Sequence, residues 1–338
     1  YHGSHAQPPH PYTPTPHQLP TDCDQRDERL GWMGDASLSS DSISLNYDAA
    51  PFLRFFVQLM LSEENKPDGS LPDVVPFVRF GNRPADVSWS AALASVLHAL
   101  SKEGDIDSYK GATAALDRQL ANVGTQTAAG LGKMHTPYGD WCPPPAAIGG
   151  GQGPKPSPPL TSAFSYIKMV QQSRAMATAA GNATAAAELA KLEASLLAQY
   201  NAAFWKGNGT YDARRVMTSQ VLGLELGGAP DMDAARAALL DLVAGAGSHY
   251  TTGIIGFKFL FKQLDSAGAH DTALSVLTQL DYPSIGYYFA NVQVQRPHQF
   301  APRPFPPYPL PPPPPPSPPP IPSGKRAGES DGEFVGTS

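Results

Sequence analysis

The chain has 338 residues, a formal charge of -6, and 41% apolar but only 16% charged residues. That length gives one large domain or two ordinary ones with a sizeable core, and an acidic balance without a basic block excludes nucleic acid as the main partner. No apolar run nears the ~20 residues that span a bilayer, and two cysteines, Cys23 and Cys142, exclude a disulfide scaffold or a four-cysteine zinc site while allowing one bridge.

The opening YHGSHAQPPHPY lacks the basic-then-apolar layout of a signal peptide. Proline then divides the chain. Of 37 prolines, six fall in 8–20, seven in 143–159 and sixteen in 297–322, and none of these stretches can be a helix interior or a central strand. Residues 1–20 are expected to be a disordered Pro/His-rich lead. Between the prolines, apolar residues recur at spacings of three and four in 48–64, 86–104, 106–123, 160–181, 182–205 and 217–228, and again in DMDAARAALLDLVAGAG, TTGIIGFKFLFKQLDSAG and AHDTALSVLTQL. Several of these segments begin at Asp, Thr or Asn and end in Gly. No pair of alternating strands interrupts them. The pattern predicts an all-α domain of about ten helices over 21–291, with long loops at 65–85 and 135–159. Periodicity alone leaves a helical toroid and a large bundle equally open. From 292 to the end, the Pro311–Pro316 run predicts a polyproline II rod followed by a disordered polar tail.

The densest ionisable cluster is TDCDQRDERLGWMGD, residues 21–35. Asp22, Asp24, Asp27, Glu28 and Asp35 crowd around Arg26 and Arg29, with Trp32 set between glycines. The bland reading is a solvated charged loop, against which a large ring set between glycines counts. Crowded carboxylates raise at least one pKa unless an arginine offsets it, and a neutral carboxyl beside an aromatic platform suits protonation of a glycosidic oxygen.

This segment resembles the signature of the α-L-rhamnosidases of glycoside hydrolase family 78. LPDVVPF, ADVSWSAAL, TPYGDW, TTGIIGFKFL and YPSIGYYFA agree with the same family in order and spacing, so that the resemblance covers roughly residues 20–290. It implies an (α/α)6 toroid whose cleft takes a terminal L-rhamnose of a glycoside or polysaccharide, hydrolysed with inversion and without a cofactor or metal. It also implies Glu28 as the general acid. Asp22, Arg26 and Asp35 match positions that grip sugar hydroxyls, and Trp32, Trp89 and Trp141 match the aromatic walls. Substrates of this kind favour a secreted or wall location.

Without the resemblance, Trp89 reads as core within a helical apolar pattern, and Trp141 as an evenly balanced loop residue. Trp205 matches no pocket position and reads as structural. His135 and His249 have no partner at metal-ligand spacing and read as polar loop residues. The sequons Asn182-Ala-Thr184 and Asn208-Gly-Thr210 are matched by a bland alternative, since Asn182 is also a good helix cap.

The chain departs from the family after YPSIGYYFA. The family's second carboxylate follows that segment closely, whereas here no Asp or Glu stands between Asp281 and Glu329. The sequence therefore predicts a six-hairpin domain without its general base and last helices. Two alternatives follow: a catalytically silent rhamnose-binding domain, and a Pro-rich structural wall protein.

Overall fold

The computed structural model describes residues 30–78, 81–134, 137–148 and 150–292. The backbone divides into two units, one ending at Asn291 and one beginning at Val292, and everything below concerns the first.

Among the described residues the fold is all-helical, interrupted only by three isolated bridges, one of them pairing Trp32 with Val74. The helices are α1 (Met33–Asn46), α2 (Ala50–Glu63), α3 (Val87–Ser90), α4 (Ala92–Lys102), α5 (Ile106–Thr125), α6 (Pro158–Ala179), α7 (Ala183–Phe204), α8 (Met217–Leu226), α9 (Met232–Gly245), α10 (Ile254–Ser266), α11 (His270–Thr278) and α12 (Ile285–Val292). Short connections at 47–49, 103–105, 180–182, 227–231 and 267–269 join them in consecutive pairs, of which α4–α5, α6–α7, α8–α9 and α10–α11 pack on each other while α2 packs on α4 and α5. The first members, α1, α4, α6, α8 and α10, form an inner ring in which each packs on the next and α10 touches α1. Their partners α2, α5, α7, α9 and α11 make the outer layer.

Composition explains which helix goes where. The outer helix α2 buries Leu53, Phe56, Val57 and Met60, one stripe at helical spacing, and leaves its other face wet. The inner helices α4, α6 and α8 are buried around most of their circumference. A helix covered on two sides has no single apolar face, so small and hydroxyl residues such as Thr161, Ser162 and Ser219 share its surface. One core lies between the layers, and a second cluster, including Val221, Leu239, Leu260 and Val276, sits among α8 to α11.

The helix starts follow capping chemistry. Asp86, Asp105, Asn182 and Asp231 each accept a hydrogen bond from an amide in the first turn of α3, α5, α7 and α9. Asn182 therefore acts as a cap, with its Oδ1 3.1 Å from the Ala185 amide. In the second sequon, Asn208 Oδ1 accepts from the Thr210 hydroxyl at 2.6 Å. One expected boundary shifts, and helix α1 is not among those expected. Helix α6 begins at Pro158, inside the predicted loop, because proline is tolerated where the first-turn amide would lack a partner anyway. Helix α1 runs through SLSSDSISLN, which has no apolar stripe. Trp205 packs edge-on against Tyr211, 5.1 Å between centroids, in the structural role expected of it. On α11, α12 and the segments beside them, Leu274, Leu280, Tyr288 and Phe289 are exposed.

Candidate active site

The inner ring encloses a cleft of about 1200 Å³ lined by side chains of α1, α3, α4, α6, α8 and α10. Its ends differ. At the N-termini of the inner helices stand Asp35, Ser88, Trp89, Cys142 and Thr252; farther along the same helices stand Asp41, His98, Lys102, Lys168, Glu225 and Lys258.

The first end is built by buried carboxylates in the loops. Asp73, in LPDVVPF, has no exposed surface. Its Oδ2 accepts from the Asn82 amide at 2.6 Å, the Asn82 side chain at 2.8 Å and the Tyr138 hydroxyl at 2.6 Å, and its Oδ1 accepts from the Asp86 amide at 2.9 Å. Asp86, in ADVSW, accepts from the Ser88 amide at 2.7 Å and the Tyr138 amide at 3.2 Å. Two carboxylates thus tie three separated segments together. Burial, and then the bond to Asp73, push the Tyr138 phenol far above its ordinary pKa, so it stays a donor.

The tie sets out a row of rings. Tyr138 lies 4.6 Å from Trp89, centroid to centroid, and meets Trp141 edge-on at 5.7 Å. Lys155 Nζ stands 5.1 Å over the Trp141 ring and donates to the Tyr138 carbonyl at 3.2 Å. Gly34 closes the other side of Trp89, where a Cβ would stand 2.5 Å from the indole. That close approach brings the first turn of α1, and with it Asp35, to the edge of the cleft.

Asp140 fixes the next pair of helices. Fully buried, it accepts from the Thr218 hydroxyl on α8 and from the amides of Gly253 at 2.7 Å, Ile255 at 2.9 Å and Gly256 at 3.3 Å. Burial pushes its pKa up while these four donors pull it down. The N-termini of α8 and α10 are thereby held side by side.

Of the residues singled out in the sequence, Asp35 and Trp89 line the cleft. Trp32 is half-buried, precedes α1 and packs on the core. Trp141 is 39% exposed beside the cleft, with Cys142 next to it on the lining. Glu28, Asp22 and Arg26 lie outside the described residues, as do Cys23 and His135. His249 is held by the Ala246 carbonyl and Asp281 Oδ1, at 3.0 and 3.1 Å. Asp73, Asp86, Tyr138 and Asp140 all sit in the quoted segments, but single acidic or phenolic residues in separate loops carry no sequence signal that they converge.

A ring of five paired helices among the described residues, with carboxylates and aromatic rings gathered at the N-termini of its inner helices, has the architecture of the six-hairpin glycosidase-type domains. The sequence profile of the bacterial alpha-L-rhamnosidase 6 hairpin glycosidase domain matches residues 14–292. The chain belongs to that family. It is 26% identical over 272 residues to an alpha-L-rhamnosidase of Formosa agariphila, a match covering 80% of this chain and 29% of that protein. It is 28% identical to one of Streptomyces avermitilis, covering 80% and 25%. Among solved structures, an alpha-L-rhamnosidase from Dictyoglumus thermophilum superposes with a TM-score of 0.73 at 28% identity, covering 80% of this chain and 31% of that one. The Streptomyces avermitilis enzyme complexed with L-rhamnose superposes with a TM-score of 0.71 at 25% identity, covering 78% and 25%. The chain spans less than a third of the length of these relatives.

Proposed function

We propose that this chain is the saccharide-handling domain of an alpha-L-rhamnosidase-type glycoside hydrolase, comprised in 21–291, that cleaves terminal L-rhamnose with inversion. The family membership supports the reaction class. The observation that carries the reading is the convergence of Asp35, Trp89 and Ser88 at one end of the cleft, beside the Tyr138–Trp141 row. A deoxy sugar offers C–H faces to an indole and hydroxyls to a carboxylate, so this end has the chemistry its recognition needs. In this reading Glu28 protonates the leaving oxygen. Asp22, Arg26 and Asp35 hold the hydroxyls, and Trp32, Trp89 and Trp141 wall the sugar.

The test is release of the aryl alcohol from an aryl α-L-rhamnoside, with Glu28→Gln in parallel. Turnover by the parent chain and its loss, by a factor of ~10² or more, in the variant is the expected result; equal rates would sink the assignment of Glu28. A second reading, a silent rhamnose-binding domain, is favoured by one observation: no Asp or Glu lies between Asp281 and Glu329 to serve as the base. Inverting hydrolysis needs that second carboxylate to activate water. Saturable L-rhamnose binding by a folded chain without turnover would select this reading.

A further inference from the structure

The far end of the cleft is chemically unlike the first. Lys102 Nζ is 2.9 Å from Asp41 Oδ1, and Lys258 Nζ is 3.5 Å from Asp41 Oδ2 and donates to the Ser37 carbonyl at 3.0 Å. Lys168 and Lys262 share Glu225, at 3.0 and 2.9 Å. Four ammonium groups from α4, α6 and α10 therefore face two carboxylates. The carboxylates are well supplied already, since Glu225 also accepts from Gln263 at 2.7 Å. The lysines are not, because each ammonium carries three donors and these contacts use only some of them. A helix C-terminus explains a cation only at Lys102, the last residue of α4. Lys168, Lys258 and Lys262 stand within their helices, and the side chains of Lys168 and Lys258 are only 22% and 19% exposed. His98 adds no further positive charge. Burial first, then the positive field of Lys102, Lys168 and Lys258, lowers its pKa to about 4, so it is neutral at pH 7.

We propose that this lysine-lined end of the cleft binds an oxyanion, held by Lys168, Lys258, Lys102 and Lys262 with the Gln172 amide beside them. Two positive charges in excess, on a wall of partly buried donors, are stabilised by a carboxylate, sulfate or phosphate group that accepts the unused N–H bonds. A helix rises 1.5 Å per residue, so Asp35 to Asp41 on α1, and Ala91 to Lys102 along α4, put Asp41 and Lys102 roughly 9 to 16 Å from the aromatic end, with Lys258, bonded at Ser37, standing between. A free oxyanion can therefore bind without touching the aromatic end, and an acidic saccharide can reach both. The inference goes beyond the rhamnosidase reading and does not depend on it.

Calorimetric titration of the whole chain separates these sources. Sodium sulfate and sodium D-glucuronate are each titrated at an ionic strength fixed with sodium chloride, and D-glucose is the neutral control. Calorimetry is preferred to thermal shift because sulfate stabilises folded proteins by exclusion alone. The expected result is saturable binding of at least one anion and none of glucose, weakened tenfold or more in both Lys168→Gln and Lys258→Gln and unchanged in Lys206→Gln on a remote loop. Tighter binding of sulfate identifies a free oxyanion; tighter binding of glucuronate identifies a group carried on a sugar. Should the inner variants fail to fold, Lys262→Gln, whose side chain is 62% exposed, must weaken binding instead. The titration midpoint of His98, followed by NMR, should also rise when the anion is bound. No saturable heat from either anion, or affinity unchanged across the lysine variants, overturns the proposal. L-rhamnose titrated in parallel tests the other reading separately: oxyanion binding without rhamnose binding would count against the rhamnosidase reading alone.

Discussion

At Gly34 a single missing methyl decides how two helices meet. The backbone of α1 lies against the face of Trp89, and a Cβ there would stand 2.5 Å from Cε2 and 2.6 Å from Cδ2 of the indole. That ring cannot retreat, because Tyr138 covers it and Asp73 and Asp86 hold Tyr138 in turn. Trp89 is also 4% exposed while lining the cleft, so the core position read from its helical pattern is compatible with a place on the cleft lining. Gly34→Ala gains helix propensity, worth up to ~1 kcal/mol. It should nevertheless lose stability by about 1–3 kcal/mol, the usual cost of overpacking. The measurement is the urea midpoint of the variant, with the near-UV circular dichroism of the tryptophans as a report on the ring. An unchanged midpoint would mean that α1 can slide away from Trp89 without cost.

Among the elements, the outer helices with one wet face and the apolar inner ones were legible, and the helix made of small polar residues was not. Helices α2, α5, α9 and α11 carry their apolar stripes in the sequence, and Asp105, Asn182 and Asp231 mark their starts or those of their peers. Helix α1 carries no such mark. Its buried residues are Met33, Gly34, Ser37 and Ser40, and small side chains make the helix by letting it approach α4, with Ser37 and Ser95 bonded across the contact at 2.9 Å. The polar lining of the cleft was hidden for a related reason. His98 and Lys102, Lys168 and Gln172, and Lys258 and Lys262 are pairs four apart on three different helices, and only the ring brings them together. Helix α10 shows the same dependence at its start. Gly253 has no side chain to cap it, and the second and third amides of the helix, at Ile255 and Gly256, are taken by Asp140 from more than a hundred positions earlier. Asp140→Asn replaces an acceptor-only group with one that turns an NH2 toward those donors. Stability should fall by about 2–4 kcal/mol, with faster hydrogen exchange at Ile255 and Gly256. Exchange that rises equally in α7, which Asp140 does not touch, would mean global unfolding rather than a lost cap.

For the whole molecule, the unequal ends of the cleft make stability depend on pH in a direction that can be worked out. His98 is held near pKa 4 in the folded chain against an ordinary 6.5, so below pH 6.5 the unfolded chain binds a proton that the folded chain refuses. Stability from this group is complete above pH 6.5, declines as pH falls and is lost once pH passes about 4. The fall from 6.5 to about 4 corresponds to at most ~3.4 kcal/mol, and less because the ring is only partly buried, set against the ~5–15 kcal/mol that holds a domain together. Asp41 moves the same way at lower pH: its bond to Lys102 and the field of Lys258 outweigh burial and lower its pKa, so its contribution vanishes below the ordinary carboxylate range. The two can be told apart by window, because only the histidine acts between pH 6.5 and 5. Unfolding free energies from urea titrations at pH 7, 6, 5 and 4.5 should therefore fall more steeply for the parent chain than for His98→Gln, the parent losing stability relative to the variant as pH drops toward 4. Parallel curves across that range would show that the lysine end does not exclude the proton, and that its positive field is weaker than four ammonium groups around two carboxylates imply.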